Sequence, residues 1–422
     1  MPLDPRVALM ASPSETSAIA AGKCSVLVLS RPTIVDARSH GPVLAVVLRA
    51  FEGGGAQRDM ILLVNALAVR GVQIVILCLR GDGPLRRLLD PSITVVEVPG
   101  AKIRYAVPGL RRLIRDLAPA AIISSEAALN LCTLIAVRTL PRRKRPKLVL
   151  REVGSPSIAQ QRDPYAQNRI AYRILRYLYR HADRIVALTD GARRDLRENF
   201  AVPDNVIAPM LTNAVIPEET AARLAQWDGE SGREAGLIVS VGRLSPEKDQ
   251  RTLIRAVAML PVELPWRLAI VGDGAERPAL EALVRDLGLG DRIAFTGQVA
   301  DPFAVVMRAR VAVCASVYEG LCNAIIEALA CGTPVVSTNC PYGPFEILQG
   351  GRFGALTPVG DAKAMAKAIA AALTQTPDRA ALRARGFDYT AARAAERFLE
   401  IISGLDVLPA QPSSPLAVAS AS

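Results

Sequence analysis

The chain of 422 residues carries 51 Lys and Arg against 40 Asp and Glu, a formal net charge of +11, with half its residues apolar and 4% aromatic. That length is too great for one ordinary core and fits two domains of roughly 200 residues each. The seven cysteines form no CxxC pair and the only histidines are His40 and His181, so composition argues against a zinc or iron–sulfur centre and for small core thiols in a reducing compartment.

No apolar run reaches the roughly 18 residues of a spanning helix, and the amino terminus lacks the basic cluster and long apolar core of a signal peptide. The expected location is cytoplasmic. The charge is uneven: residues 1–200 hold 31 Lys and Arg against 16 Asp and Glu, a net of +15, and the remainder holds 20 against 24, a net of −4. An anionic partner facing the first half accounts for this asymmetry, and so does a plain solvated basic surface. An anionic membrane fits better than nucleic acid, because no stacking aromatics interleave the basic runs and no nucleic-acid motif is present.

In chain order, residues 1–41 show no sustained period and read as a poorly ordered extension, with 25–30 its one extended candidate. A β/α alternation follows. Strands are expected at 42–49, 72–79, 93–98, 121–124, 148–152 and 184–188, with helices near 56–70, 108–117 and 164–181 among them. This closes a first domain, 42–215. A Glu/Ala/Gly-rich linker is expected at 216–235. A second domain, 236–405, has strands at 237–241, 267–271, 293–296, 311–315 and 334–337. Residues 406–422 read as a disordered low-complexity tail. Alternation in both halves implies an α/β fold of two Rossmann-like, doubly wound domains with parallel sheets. Ligands then belong at the carboxyl ends of strands.

Three post-strand loops carry candidate chemistry. After the first strand of the second domain, Gly242 allows close backbone approach, and Arg243 and Lys248 add cations where an anion would sit. An ordinary strand-to-helix turn explains that loop equally well. Gly272 and Gly274 form a lone GxG-like turn, which alone reads as a tight turn. Gly53, Gly54 and Gly55 lead from strand to helix, but Arg58 stands where a dinucleotide fingerprint would need glycine.

Residues 311–351 hold only three charged groups, Glu319, Glu327 and Glu346, all acidic. Glu327 lies within an apolar helix pattern, so its carboxylate is expected to be buried and to require a remote Arg or Lys, or a ligand's hydroxyls. Carboxylates accept paired hydroxyl hydrogen bonds well, so Glu319 and Glu327 suit a polyol such as a ribose or hexose. Gly320, Leu321, Cys322 and Asn323 would offer backbone N–H groups at the start of the intervening helix.

Together these residues resemble the retaining glycosyltransferases of family 4, which have the GT-B architecture of two Rossmann-like domains facing each other across a cleft. The E-x7-E motif stands as Glu319 to Glu327. It is preceded by Gly242, Arg243, Lys248, Gly272 and Gly274 and followed by the turn from Cys340 to Leu348. Gly53 to Arg58 is similar to the family's glycine-rich loop, and Asn213 to the Asn before the linker. The resemblance spans about 42–404. It implies a hexosyltransferase using a nucleotide sugar, with a UDP-hexose or UDP-N-acetylhexosamine preferred and GDP-mannose next. Arg243, Lys248 and Glu319 would be catalytic, Glu327 would hold the donor ribose, and Glu319 the transferred sugar. The family's reaction needs no cofactor, and here two fixed cations would replace a metal, retention following from front-face displacement. The acceptor would be a glycan or a lipid-linked glycan. Three departures concern the acceptor side: Phe345 where Arg is frequent, Val72 where His is frequent, and no His near Arg151 to Pro156. They keep open a catalytically silent GT-B-like scaffold. A Rossmann oxidoreductase lacks its fingerprint in both halves.

Overall fold

The computed structural model describes residues 42–407 except Gly53, Ala101 and Pro164, so the expected extension 1–41 and nearly all of the expected tail 406–422 lie outside the described residues. The first sheet contains β1 (Val43–Leu48), β2 (Gln73–Cys78), β3 (Thr94–Glu97), β4 (Ala121–Ser125), β5 (Lys147–Glu152), β6 (Arg184–Ala187) and β7 (Ile207–Pro209). The second contains β8 (Leu237–Val241), β9 (Arg267–Val271), β10 (Ile293–Gly297), β11 (Val311–Cys314), β12 (Val335–Thr338) and β13 (Ala355–Thr357). The spatial orders are β3-β2-β1-β4-β5-β6-β7 and β10-β9-β8-β11-β12-β13, with every ladder parallel. Two Rossmann-like α/β domains are therefore present, as the alternation implied.

Parallel sheets need helices on both faces, and the strand sequences show it. In β1, Val43, Ala45 and Val47 enter one core while Leu44, Val46 and Leu48 enter another, the period of two placing alternate side chains on opposite faces. The second sheet divides its core likewise, with Val239 on one face and Ile238 on the other. The strand order reverses between β1 and β4, and again between β8 and β11, which places a crevice at the carboxyl ends of those strands. β7 and β13, three residues each, are too short to leave a periodic signal and were not expected.

Two of the expected segments carry helices that the sequence reading did not place. The 216–235 segment contains a helix, Glu218–Gln226, whose Thr220 and Leu224 are buried. The segment assigned to the second domain, 236–405, ends in a helix, Ala391–Ser403, that packs in the core of the first sheet: Ala394, Phe398 and Ile402 join Leu44 and Val46 there. The apolar stripe of that helix forecasts burial but cannot specify which sheet receives it. The backbone does: Ile216 pairs with Thr390 where the chain leaves the first domain and returns to it, and the Val215 and Ile216 N–H groups both donate to the Tyr389 carbonyl at 3.1 Å. The two crossings therefore lie side by side. Phe398 is fully buried, so Phe398→Ala is expected to lower the unfolding free energy by about 3–5 kcal/mol in denaturant melts. A loss below about 1 kcal/mol would contradict the docking of this helix.

Candidate functional site

The glycine loops of the second domain pack against each other. Gly272 has φ +132°, and a Cβ there would lie 1.9 Å from the Gly242 carbonyl oxygen; one on Gly274 would lie 2.2 Å from that of Leu244. The Gly242 N–H donates to Val271 and the Leu244 N–H to Asp273. Gly272 and Gly274 are thus required by the contact between the β8 and β9 loops, a reason independent of any ligand. Arg243, on the outer side of that contact, is exposed and has no carboxylate partner among the described residues. Gly54 and Gly55 open the helix Gly55–Val69, and a Cβ on Gly55 would lie 3.1 Å from the Asn323 amide nitrogen. Gly53 lies outside the described residues.

Beyond β11 the chain turns at Ser316 and Glu319 before the helix Asn323–Ala330. Glu319 is buried, and its Oε1 accepts from Lys248 Nζ at 2.5 Å and Ser316 Oγ at 2.6 Å. Burial acts to lower the Lys248 pKa, but the Glu319 carboxylate outweighs it and holds the ammonium well above its usual range. The pairing with Glu319 therefore favours the charged ammonium. Glu319 Oε2 has no hydrogen-bond partner among the described residues. Gly320 is fixed by close approach to the first domain, where a Cβ would meet the Val153 carbonyl at 1.9 Å. Ser155 Oγ donates to the Glu319 carbonyl at 2.8 Å, so this turn spans the interface.

Glu327, one of the two predicted hydroxyl acceptors, sits on the buried face of its helix, and Arg58 Nη1 reaches its Oε1 at 2.7 Å from the first domain. Burial raises the Glu327 pKa, and Arg58 opposes that rise. Arg58, at the end of the glycine-rich loop, is engaged with an acid 269 residues away, which no local pattern reveals. Its neighbour Asp59 accepts from Asn323 Nδ2 at 2.8 Å and from Asn213 Nδ2 at 2.6 Å, while the fully buried Arg151 donates to Asn213 Oδ1. Arg151 Nε and Nη1 and Asn323 Oδ1 lack partners among the described residues. Sequence inspection missed Asp59 and Arg151, since a single Asp in a helix and a single Arg in a strand carry no signal.

The third acid closes the interface elsewhere. Glu346 accepts from the Asp190 and Gly191 N–H groups at 2.7 and 2.8 Å, at the positive end of the helix Asp190–Asn199 in the first domain. Phe345 beside it is exposed, and the cation near this turn is Arg385, which donates to the Glu346 carbonyl. Between the domains, next to the Glu319 turn, a cavity of about 270 Å³ is walled by Ser157, Gln161, Arg162, Val317 and Tyr318.

Comparison with known proteins decides the family. Residues 235–375 match the family of group 1 glycosyl transferases, and residues 54–210 match a glycosyl transferase 4-like domain. The chain is 30% identical to the lipopolysaccharide core biosynthesis glycosyltransferase LpsE of Rhizobium meliloti, over 79% of this chain and 90% of that one. The chain belongs to the glycosyltransferases. An N-acetylgalactosaminyltransferase of Campylobacter jejuni, named for its action on an N-acetylgalactosamine-N,N'-diacetylbacillosaminyl-diphospho-undecaprenol, is 27% identical over 71% of this chain and 80% of that one. Among solved structures, HepE of Anabaena, in complex with UDP and glucose, superposes with a TM-score of 0.67 at 19% identity, covering 86% of this chain and 100% of that one. The pneumococcal O-GlcNAc transferase GtfA superposes with a TM-score of 0.70 at 13% identity, over 87% of this chain and 99% of that one. These likenesses give this glycosyltransferase the GT-B fold.

The fold brings Glu319, Lys248, Cys322, Asn323, Glu327 and Arg58 to one interface, with Gly242 and Arg243 at the neighbouring loop. Asp59, raised by burial from 3.8 to about 6 against the pull of Arg151, gives this interface a pH signature. Because folding favours the neutral carboxyl, its contribution is complete below about pH 4 and is lost as pH rises through about 6. Unfolding free energies of the glycosyltransferase are expected to fall across that window, and Asp59→Asn is expected to remove part of the slope. An unchanged slope in the variant would contradict the assignment.

Proposed function

We propose that this glycosyltransferase moves a hexose or N-acetylhexosamine from a UDP-sugar, with GDP-mannose the next candidate donor, to a glycan or lipid-linked acceptor in cell-surface polysaccharide or glycolipid synthesis. The observation that carries this reading is the pair of buried acids at the carboxyl end of the second sheet, each with one oxygen held by a cation and the other without a partner among the described residues. Glu327 Oε2 would accept from the donor ribose hydroxyls, and Arg58 would keep the carboxylate ionised at its buried position. Glu319 Oε2 would accept from a hydroxyl of the transferred sugar. Arg243 would take the diphosphate, and Lys248, with donors left beyond the one engaged by Glu319, would share it.

Charge building on the departing nucleoside diphosphate would then be met by fixed cations already present in the site. This supports a metal-independent reaction. Retention by front-face displacement is consistent with the same arrangement: the leaving phosphate oxygen would receive the acceptor hydroxyl's proton as that hydroxyl's oxygen bonds to the anomeric carbon on the face the phosphate leaves. The names of the Rhizobium and Campylobacter relatives support a lipid-linked or lipopolysaccharide-type acceptor, and the cavity beside the Glu319 turn offers space for part of it.

Membrane attachment would be peripheral, at the inner face of the cell membrane. No helix among the described residues is long and apolar enough to cross a membrane. The helix Ala166–Leu178 exposes Ile170, Ile174 and Tyr177, at spacings of four and three, beside exposed Arg173 and Arg176. An apolar stripe edged by arginines suits an anionic bilayer surface. A second reading, a GT-B-like scaffold without catalysis, is favoured by one fact: each of the three acids already has a protein partner.

Glu327→Ala and Lys248→Ala are each expected to abolish transfer with the fold intact by circular dichroism. Full transfer by both would refute the site. A panel of nucleotide sugars, assayed with and without chelator, is expected to give chelator-resistant turnover; metal dependence would contradict the role of the cations, and no binding across the panel would favour the scaffold. Ile174→Glu is expected to weaken binding to phosphatidylserine vesicles, and rising salt to weaken the wild type. Salt-independent indifference to vesicles would remove the membrane face.

A further inference from the structure

We propose that Cys314 and Cys322 form an oxidisable dithiol in the wall of this site, converted to a disulfide by a hydroperoxide. The chemistry stands on the geometry of the pair, whereas its consequence for donor binding rests on the reading above. Cys314 ends β11, and Cys322 is the N-cap residue of the helix Asn323–Ala330. Their sulfurs lie 3.3 Å apart in a hydrogen bond, and both residues are buried, at 9% and 2% exposure. A disulfide has a sulfur separation of about 2.05 Å, so modest closure of the turn joins them.

The surroundings distinguish this pair from the other described thiols. Cys314 Sγ is 3.4 Å from Ser316 Oγ and 4.0 Å from Glu319 Oε1, with Lys248 bonded to the same carboxylate oxygen. The hydrogen bond from Cys322 holds the Cys314 thiol down to about 7 against burial, with Lys248 and Ser316 assisting and Glu319 opposing. Burial instead pushes Cys132 up to about 11 and Cys78 up to about 12, and raises Cys331 and Cys340 as well. Among the described thiols Cys314 is thus the one whose surroundings favour the thiolate, and its hydrogen-bonding neighbour is placed to resolve it.

The steps balance. The Cys314 thiolate attacks the terminal peroxide oxygen, the O–O bond breaks, and the alkoxide leaves and takes a proton to become an alcohol, or water from hydrogen peroxide. Cys314 is then a sulfenic acid. The Cys322 sulfur attacks it, the S–O bond breaks, and hydroxide leaves with the Cys322 proton as water. Two electrons pass from the thiols to the peroxide. Glu319 lies within the closed ring, and Cys322 begins the helix carrying Glu327, so closure displaces both proposed donor contacts.

The test treats the full chain with hydrogen peroxide, quenches, denatures, alkylates and maps the peptides. The expected result is a Cys314–Cys322 disulfide that precedes oxidation of the other cysteines and disappears with dithiothreitol. Equal alkylation of both thiols before and after peroxide, pairing of either with Cys340, or sulfinic acid without a cross-link would overturn it. UDP titration of the oxidised and reduced forms reads the consequence: at least a tenfold weaker affinity on oxidation, restored by dithiothreitol and unaffected by EDTA. Unequal binding abolished by EDTA would identify a thiophilic cation held by Cys314, Glu319 and Cys322, whose ligand atoms lie within 4.8 Å of one another, and would overturn the redox assignment. A disulfide in a chain that binds no nucleotide in either form would refute the donor site and leave the dithiol standing.

Discussion

A carboxylate removed from water must be met by a cation or by several hydrogen-bond donors, and residues 311–351 contain three carboxylates and no base. Apart from the Ser316 hydroxyl, which donates to Glu319, the compensating groups therefore come from elsewhere in the chain. Lys248 comes from the loop after β8, Arg58 from the first helix of the other domain, and the Asp190 and Gly191 amides from the start of the helix Asp190–Asn199. Two of these three contacts cross between the domains. The electrostatic requirement of one segment thereby helps set how the two sheets face each other.

The same requirement explains the polar core at the interface. Asp59 is held by two amides, Asn213 and Asn323, one from each side, with Arg151 behind Asn213. Buried networks with partly unsatisfied members are costly, and here Arg151 and Asn323 retain atoms without partners among the described residues. Under the proposed function, a site that admits a charged, hydroxyl-rich ligand would gain from an interface that is not fully satisfied without it. Desolvated carboxylates fixed by cations are poised to accept hydroxyls, whereas solvated ones would first have to lose water.

The repeating strand and helix pattern made both sheets legible, because a parallel sheet covered on both faces is written as short apolar runs at regular spacing. The acids Glu319 and Glu327 were legible for a related reason: an isolated charge in an apolar stretch is conspicuous. Their partners were not. Arg58 is one arginine among 31 basic residues in the first 200, and only the tertiary fold selects it. The helix Ala391–Ser403 was not read from the sequence, and nothing in its apolar face says which sheet receives it. The need for Gly272 and Gly274 was visible while its cause was not, since loop-to-loop packing and phosphate approach ask for the same residue.

The decisive observation is a crystal structure of the glycosyltransferase with UDP or an unreactive UDP-sugar bound. The account predicts ribose hydroxyls within about 3 Å of the Glu327 carboxylate, with Arg58 still paired to it and the diphosphate beside Arg243 and Lys248. A nucleotide seated elsewhere, with Glu327 touching Arg58 alone, would contradict it.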